Sequence, residues 1–208
     1  MKQDIIKKII TNKLFSVASS PKENDWILLK NGSRAPMFLD TSKFISFPEL
    51  LEELNKLIIQ IIKEKNIGFD KIIGLPYGGL PFSYGVTALL KVPGLTIRKE
   101  GAKNYSTAGE LLGIYQKGEK VLIIEDATVT ANTVIEFIGK LKDKGLVVSD
   151  VITVLDIGQD AKANVAALGV TLHPVFTWRK LYESYKAEYP QSISQELEVI
   201  LNDIFDIH

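Results

Sequence analysis

The chain is predicted to fold as an α/β domain with a mostly parallel central sheet flanked by helices. Three observations predict it. The short apolar run Val121–Ile124 reads as a strand buried on both faces, Lys71–Pro76 as a buried strand, and Val147–Leu155 as a further apolar strand. Segments with apolar residues at helical spacing, near 82–90 and from Val134 to Leu141, follow the first two. Glycine-bearing or hydroxyl-rich turns join each of those strands to its helix. Such alternation makes neighbouring strands parallel and gathers ligands at their carboxyl ends.

Residues 3–16 carry Ile5, Ile6, Ile9, Ile10 and Leu14 at helical spacing and are predicted to be a packing helix. Trp26–Leu29 reads as a strand, Lys30-Asn31-Gly32-Ser33 as a hairpin turn, and Met37–Leu39 as the return strand. This hairpin precedes the main sheet and is placed to act as a lid. Pro48 opens a helix whose Leu50, Leu51, Leu54, Leu57, Ile58, Ile61 and Ile62 form one apolar stripe. The strand through Gly74 leads into the turn Tyr77-Gly78-Gly79-Leu80-Pro81 and a helix over about 82–90. Leu95–Arg98 is a further strand. From Lys99 to Leu112 apolar periodicity stops, and a connection of that length is functional or disordered. After the strand ending at Asp156 come a short helix over 162–168 and an edge strand, Val170–Phe176, which contains Pro174. The tail is helical around Pro190, with Ser192 or Ser194 capping the last helix.

A chain of 208 residues with 46% apolar and 24% charged residues fits one globular domain with a full core. A formal net charge of zero gives no electrostatic case for nucleic acid or an anionic membrane. No apolar run reaches membrane-spanning length, and the lysine-rich stretch Met1–Phe15 lacks the features of a signal peptide. The absence of cysteine excludes disulfides and thiolate metal sites and suits a cytoplasmic protein.

Residues 121–133 concentrate the chemistry. An apolar strand ends at the acids Glu125 and Asp126, a small hydroxyl-rich turn runs from Ala127 to Thr133, and a helix follows. The backbone N–H groups at a helix start suit a phosphate, and two adjacent carboxylates suit sugar hydroxyls or a metal. Taken alone, the stretch reads equally as a phosphosugar site or as a strand followed by helix-capping residues. It is neither a P-loop nor a dinucleotide fingerprint.

This stretch resembles the phosphoribosyl-pyrophosphate (PRPP) motif of type I phosphoribosyltransferases. Three further stretches narrow the resemblance to the orotate phosphoribosyltransferases. Leu29-Lys30-Asn31-Gly32-Ser33-Arg34-Ala35-Pro36-Met37-Phe38-Leu39-Asp40 is similar to that family's N-terminal hairpin. Gly74-Leu75-Pro76-Tyr77-Gly78-Gly79-Leu80-Pro81 is similar to its pyrophosphate loop, and Arg98-Lys99-Glu100-Gly101-Ala102-Lys103-Asn104-Tyr105 to its mobile catalytic loop. The resemblance implies a type I phosphoribosyltransferase fold, with an N-terminal hood over about 1–45 and a core over about 46–208. It implies transfer of ribose 5-phosphate from PRPP to orotate, with Mg²⁺ carried mainly by PRPP and no direct protein ligand to the metal. It also implies a homodimer.

By the same resemblance, Lys103 and Asp126 are the catalytic residues. Lys30, Tyr77, Arg98, Lys99, Glu125, Asp126, Thr128, Thr130, Ala131 and Thr133 bind PRPP, and Phe38 and Leu39 bind orotate. The sequence also departs from the family pattern. Val129 replaces a Thr, Ala131 a Gly, and Asn132 a Ser or Thr, while Ile157 stands where an Arg commonly helps bind the orotate carboxylate. The mobile loop carries one extra residue, Gly101 or Ala102. Two alternatives therefore stand beside orotate transfer: a non-catalytic PRPP- or nucleotide-binding regulator, and a phosphoribosyltransferase for another base.

Overall fold

Burial on both faces decides the sheet. In the computed structural model, which describes residues 1–28, 32, 34–97, 110–158 and 160–206, the apolar runs become neighbouring strands. In chain order the elements are α1 (Lys2–Thr11), β1 (Phe15–Val17), β2 (Ile27–Leu28), β3 (Arg34–Ala35), β4 (Met37–Leu39) and α2 (Pro48–Glu64). Next come β5 (Lys71–Gly74), α3 (Leu80–Leu90), β6 (Gly94–Ile97), β7 (Leu111–Leu112), β8 (Val121–Thr128) and α4 (Asn132–Asp143). The chain continues with β9 (Asp150–Asp156), α5 (Ala161–Ala166), β10 (Thr171–Thr177), α6 (Trp178–Glu188) and α7 (Gln195–Asp206).

Among the described residues one sheet has six strands, in the order β10-β9-β8-β5-β6-β7. The β5–β6, β5–β8 and β8–β9 pairs are parallel, and β7 adds an antiparallel edge to β6. The long strand β8 is therefore central. Its side chains alternate between two covered faces. Val121 and Ile123 join Ile73, Val151 and the α4 residues Val134, Ile138 and Leu141 in one apolar cluster. Leu122 and Ile124, pointing the other way, are equally buried, and α3 packs on β5, β6 and β8. Pro174 lies on the edge strand β10, where a missing N–H is tolerated.

The chain divides into two compact units. Residues 51–176 form one, and 1–50 with 177–208 form the other. Within the latter, α1 packs on α6, and Phe15 meets Trp178 and Tyr185 edge-on at 5.7 and 5.8 Å. Ser194 caps α7 by accepting the Leu197 N–H at 3.2 Å.

Several boundaries differ from the sequence expectation, each for a physical reason. The first helix ends at Thr11, because Lys13 turns left-handed (φ 56°) and the Leu14 N–H closes back onto Ile9 O at 3.0 Å. No glycine marks that stop, and Leu14 continues the apolar period beyond it. Residues 15–17 are then a strand. The N-terminal hairpin pairs β2 with β3, not with Met37–Leu39, which instead pairs with β1. Pro36 has no N–H to extend the first ladder, and its carbonyl accepts from Ala18 N–H at 2.7 Å. The patternless stretch before Leu112 closes with β7, too short to show a period. Strand β8 runs past the acids to Thr128, because β9 continues alongside and pairs Ala127 with Leu155 and Thr128 with Asp156.

Two glycines test this packing with opposite signs. A Cβ on Gly85 of α3 would lie 2.7 Å from Cγ of the buried Asn55 on α2, whereas one on Gly139 of α4 meets nothing within 4 Å. Gly139→Ala should stabilise the protein by about 0.5–1 kcal/mol. Gly85→Ala should destabilise it by about 1–3 kcal/mol despite the same gain in helix propensity. Urea unfolding of both variants measures the contrast.

Candidate active site

The carboxyl end of β8 brings three backbone features together. The first is the acidic pair. Glu125 is only 8% exposed. Its Oε1 accepts the Asp126 N–H at 3.1 Å, while Oε2 is buried without a hydrogen-bond partner among the described residues. Burial pushes the Glu125 carboxyl up to about 10, and the Asp126 carboxyl beside it adds to the rise by hydrogen bonding and by like charge.

The second feature is the turn after β5. Leu75 N–H donates to Ile124 O at 3.2 Å, and Gly79 N–H donates to Leu75 O at 3.0 Å. The Pro76–Tyr77 peptide bond is cis. This turn lies so close to β8 that its glycine positions have no room for a side chain. A Cβ on Gly78 would fall within the Asp126 carboxylate, and one on Gly79 would clash with the Ile124 carbonyl and come within 2.9 Å of Leu75 N. Gly74 is equally confined, with Gly79 O 2.7 Å from its virtual Cβ. Tyr77 is 68% exposed at the tip.

The third feature is the loop into α4. Residues 127–134 and Glu125 line a cavity of about 190 Å³. No side chain caps α4, so the N–H groups of its first turn have no side-chain acceptor at the N-cap. That end of the helix carries partial positive charge and suits an anion. Ala131 adopts φ 62°, ψ 19°, a left-handed conformation that glycine takes more readily, and its methyl group is buried in the apolar cluster. The loop is braced from β9 and α5. Ile157 N–H donates to Thr128 O at 2.9 Å, and Asn164 Nδ2 donates to Thr130 O at 3.0 Å. Thr128 is buried with its Oγ1 unpartnered among the described residues, while Val129 and Thr133 are exposed.

Of the residues singled out in the sequence, Tyr77, Glu125, Asp126, Thr128, Thr130, Ala131 and Thr133 gather in these features of the 51–176 unit. Phe38 and Leu39 belong to the other unit, where Phe38 is partly exposed on β4 and Leu39 is buried. Lys30, Arg98, Lys99 and Lys103 lie outside the described residues. Sequence reasoning missed Asn164, which braces the loop from 34 residues away. A polar residue in a short helix carries no local signal of that role. It also missed the steric tie between Gly78 and Asp126, 48 residues apart, although the glycine itself stood out. Among the described residues, no group of three or more His, Cys, Asp or Glu side chains is placed to hold a metal ion. No helix among them is long and apolar enough to cross a membrane.

Comparison with known proteins matches this geometry to a family. The sequence profile of the phosphoribosyl transferase domain matches residues 42–180. An orotate phosphoribosyltransferase of Caenorhabditis elegans is 31% identical over 172 residues, which is 83% of this chain and 75% of the relative. One from Methanocaldococcus jannaschii is 29% identical over 154 residues, 74% of this chain and 85% of the relative. Among solved structures, Leishmania donovani UMP synthase superposes with a TM-score of 0.78 at 22% identity, covering 97% of this chain and 42% of that longer one. The orotate phosphoribosyltransferase of Aeropyrum pernix gives a TM-score of 0.69 at 20% identity, covering 88% of this chain and 98% of that one. Profile, relatives and fold agree, and the chain belongs to the phosphoribosyltransferases, within the orotate phosphoribosyltransferase family.

Proposed function

We propose that the chain transfers ribose 5-phosphate from PRPP to orotate, forming orotidine 5′-monophosphate and pyrophosphate in pyrimidine biosynthesis. The observation that carries this reading is the cavity at the end of β8, where a buried acidic pair adjoins an uncapped helix start. Ribose hydroxyls and a 5′-phosphate differ in the same way: one needs hydrogen-bonding carboxyls, the other N–H donors.

In this reading the C1′–O bond breaks with its electron pair leaving on pyrophosphate, a bond forms from the orotate nitrogen to C1′, and the proton of that nitrogen passes to the departing pyrophosphate. Glu125 and Asp126 would hold the ribose hydroxyls. Thr128, Thr130, Ala131 and Thr133, by hydroxyl or backbone N–H, would hold the 5′-phosphate. Tyr77 and the tight backbone of 77–79 would meet the pyrophosphate, joined by Arg98 and Lys99, and Lys30 would flank the ribose and the orotate. Lys103 would neutralise the leaving group, and electrostatic stabilisation of that charge is the main catalytic demand. Phe38 would stack on the base, with Leu39 beside it. Mg²⁺ would arrive on PRPP and supply Lewis-acid stabilisation of the pyrophosphate. A cytoplasmic homodimer, with the Lys103 segment reaching the neighbouring subunit's site, completes the reading.

One observation favours a second reading, transfer to a different base. Ile157 follows β9 directly and braces the phosphate loop through its backbone, but its side chain cannot donate a hydrogen bond to a carboxylate.

Orotate, PRPP and Mg²⁺ incubated with the protein should yield orotidine monophosphate, resolved by chromatography, and Lys103→Ala should lower the rate by about a hundredfold or more. No product from orotate, but product from another pyrimidine, would establish the second reading. Gly78→Ala should cut kcat/KM by about tenfold or more, because its methyl group, placed 2.1 Å from an Asp126 carboxylate oxygen, forces that carboxylate to move by roughly an ångström. If the site is shared, mixing Lys103→Ala with Asp126→Asn subunits should give heterodimers more active than either parent. Mixtures that never exceed their parents would rule out a shared site.

A further inference from the structure

Glu125 and Asp126 are adjacent in sequence and both acidic, yet their surroundings differ. Glu125 is buried to 8% exposure, while Asp126 is half-buried against Gly78. A buried carboxylate needs two or three donors or a cation to stay ionised. Glu125 has one donor, the Asp126 N–H on Oε1. Its second oxygen, Oε2, is buried without a hydrogen-bond partner among the described residues, on a side chain that lines the cavity.

No cation among the described residues pairs with Glu125. On β9 the residue across from it is Thr153, whose hydroxyl is committed to Leu155 O at 3.0 Å. Further along, Asp156 accepts the Gly158 N–H at 3.0 Å. On β5 the last paired residue, Gly74, lies across from Ile124, one residue before Glu125, and the turn that follows presents Gly78 to Asp126. The remaining wall of the cavity is uncharged: Thr128, Thr130, Asn132 and Thr133. Among the described residues, the only charged group beside Glu125 is Asp126, which has the same sign.

We infer that Glu125 serves as a neutral carboxylic acid, donating its Oε2–H to a sugar oxygen while Asp126 alone presents an accepting carboxylate to the same diol. This deepens the phosphoribosyl reading above and rests on it for the identity of the diol. The two acids are then a donor and an acceptor, not a doubled negative charge. A vicinal diol, in which each oxygen both donates and accepts, is complementary to that arrangement. Asp126 is then the one fixed negative charge of the pair beside the developing sugar cation.

The sign of the pH dependence follows. The unfolded chain releases the Glu125 proton near the ordinary carboxylate range and the folded chain keeps it until about 10. Between those values the folded state binds more protons, so this group lowers stability as pH rises. Gln at this position is neutral at every pH and removes that term. Glu125→Gln should therefore melt higher than wild type, by a margin that grows from about pH 5 to about pH 9. An ionised Glu125 with an ordinary titration would leave the margin constant, and that result would overturn the inference. Infrared spectra of the free protein near neutral pH should show the C=O band of a protonated acid that Glu125→Gln abolishes. An unchanged band pattern would also overturn it.

Kinetics provide a third arm. Glu125→Gln, which keeps a neutral donor, should lower kcat/KM for PRPP by about fivefold, and Asp126→Asn by about a hundredfold. Equal losses in the two variants would contradict the donor–acceptor division. If wild type shows no transfer to any base, the proposed function fails, but the melting and infrared arms still decide the protonation of Glu125.

Discussion

The structure depends on how closely one backbone turn approaches the end of one strand. Leu75 N–H extends the β5–β8 ladder onto Ile124 O, and Gly74, Gly78 and Gly79 let residues 75–79 lie directly against β8. Side chains at those positions would collide with the Ile124 carbonyl, Gly79 O or the Asp126 carboxylate. That constraint fixes where Asp126 can be. It also brings a loop with exposed Tyr77 next to the acidic pair without any side chain between them. The central position of β8, paired in parallel with β5 and β9, holds this arrangement from both sides.

Much of this was legible in the sequence, because the forces involved leave local marks. Strands buried on both faces read as unbroken apolar runs, and α4 shows its period from Val134 onward. The acids, the hydroxyl loop and the glycines of 74–79 stood out for their chemistry and spacing. The rest depended on partners distant in the chain. Nothing near Asn164 marks it as a brace for Thr130, and nothing near Phe15 marks the two-stranded pairing with Leu39. The helix stop at Lys13 was hidden because a lysine, not a glycine, takes the left-handed turn. The grouping of 177–208 with 1–50 is likewise a matter of tertiary packing between α1 and α6, which no local pattern announces.

The departures from the family pattern acquire physical content in the structure. Ala131 keeps the left-handed backbone that a glycine would adopt freely, and its methyl group is buried among Val134, Ile138 and their neighbours. Burying a methyl group contributes about 0.8 kcal/mol, comparable with the roughly 1–2 kcal/mol cost of the backbone conformation. The cost of the substitution is thus partly offset, and the loop keeps the turn that starts α4. Val129 is exposed, so the hydroxyl lost there leaves no buried polar group stranded. Ile157 takes part in the loop through its main chain, a role that any residue but proline can fill.

The central claim is that the β8–α4 loop is the seat of a sugar phosphate, oriented by the acids behind it. A crystal structure of the protein with PRPP and Mg²⁺, without any base, tests it most directly. The account predicts the 5′-phosphate within hydrogen-bonding distance of the backbone N–H groups of residues 130–133, with the ribose hydroxyls on Glu125 and Asp126. A 5′-phosphate bound elsewhere, with the cavity lined by Thr128 to Val134 empty, would contradict it.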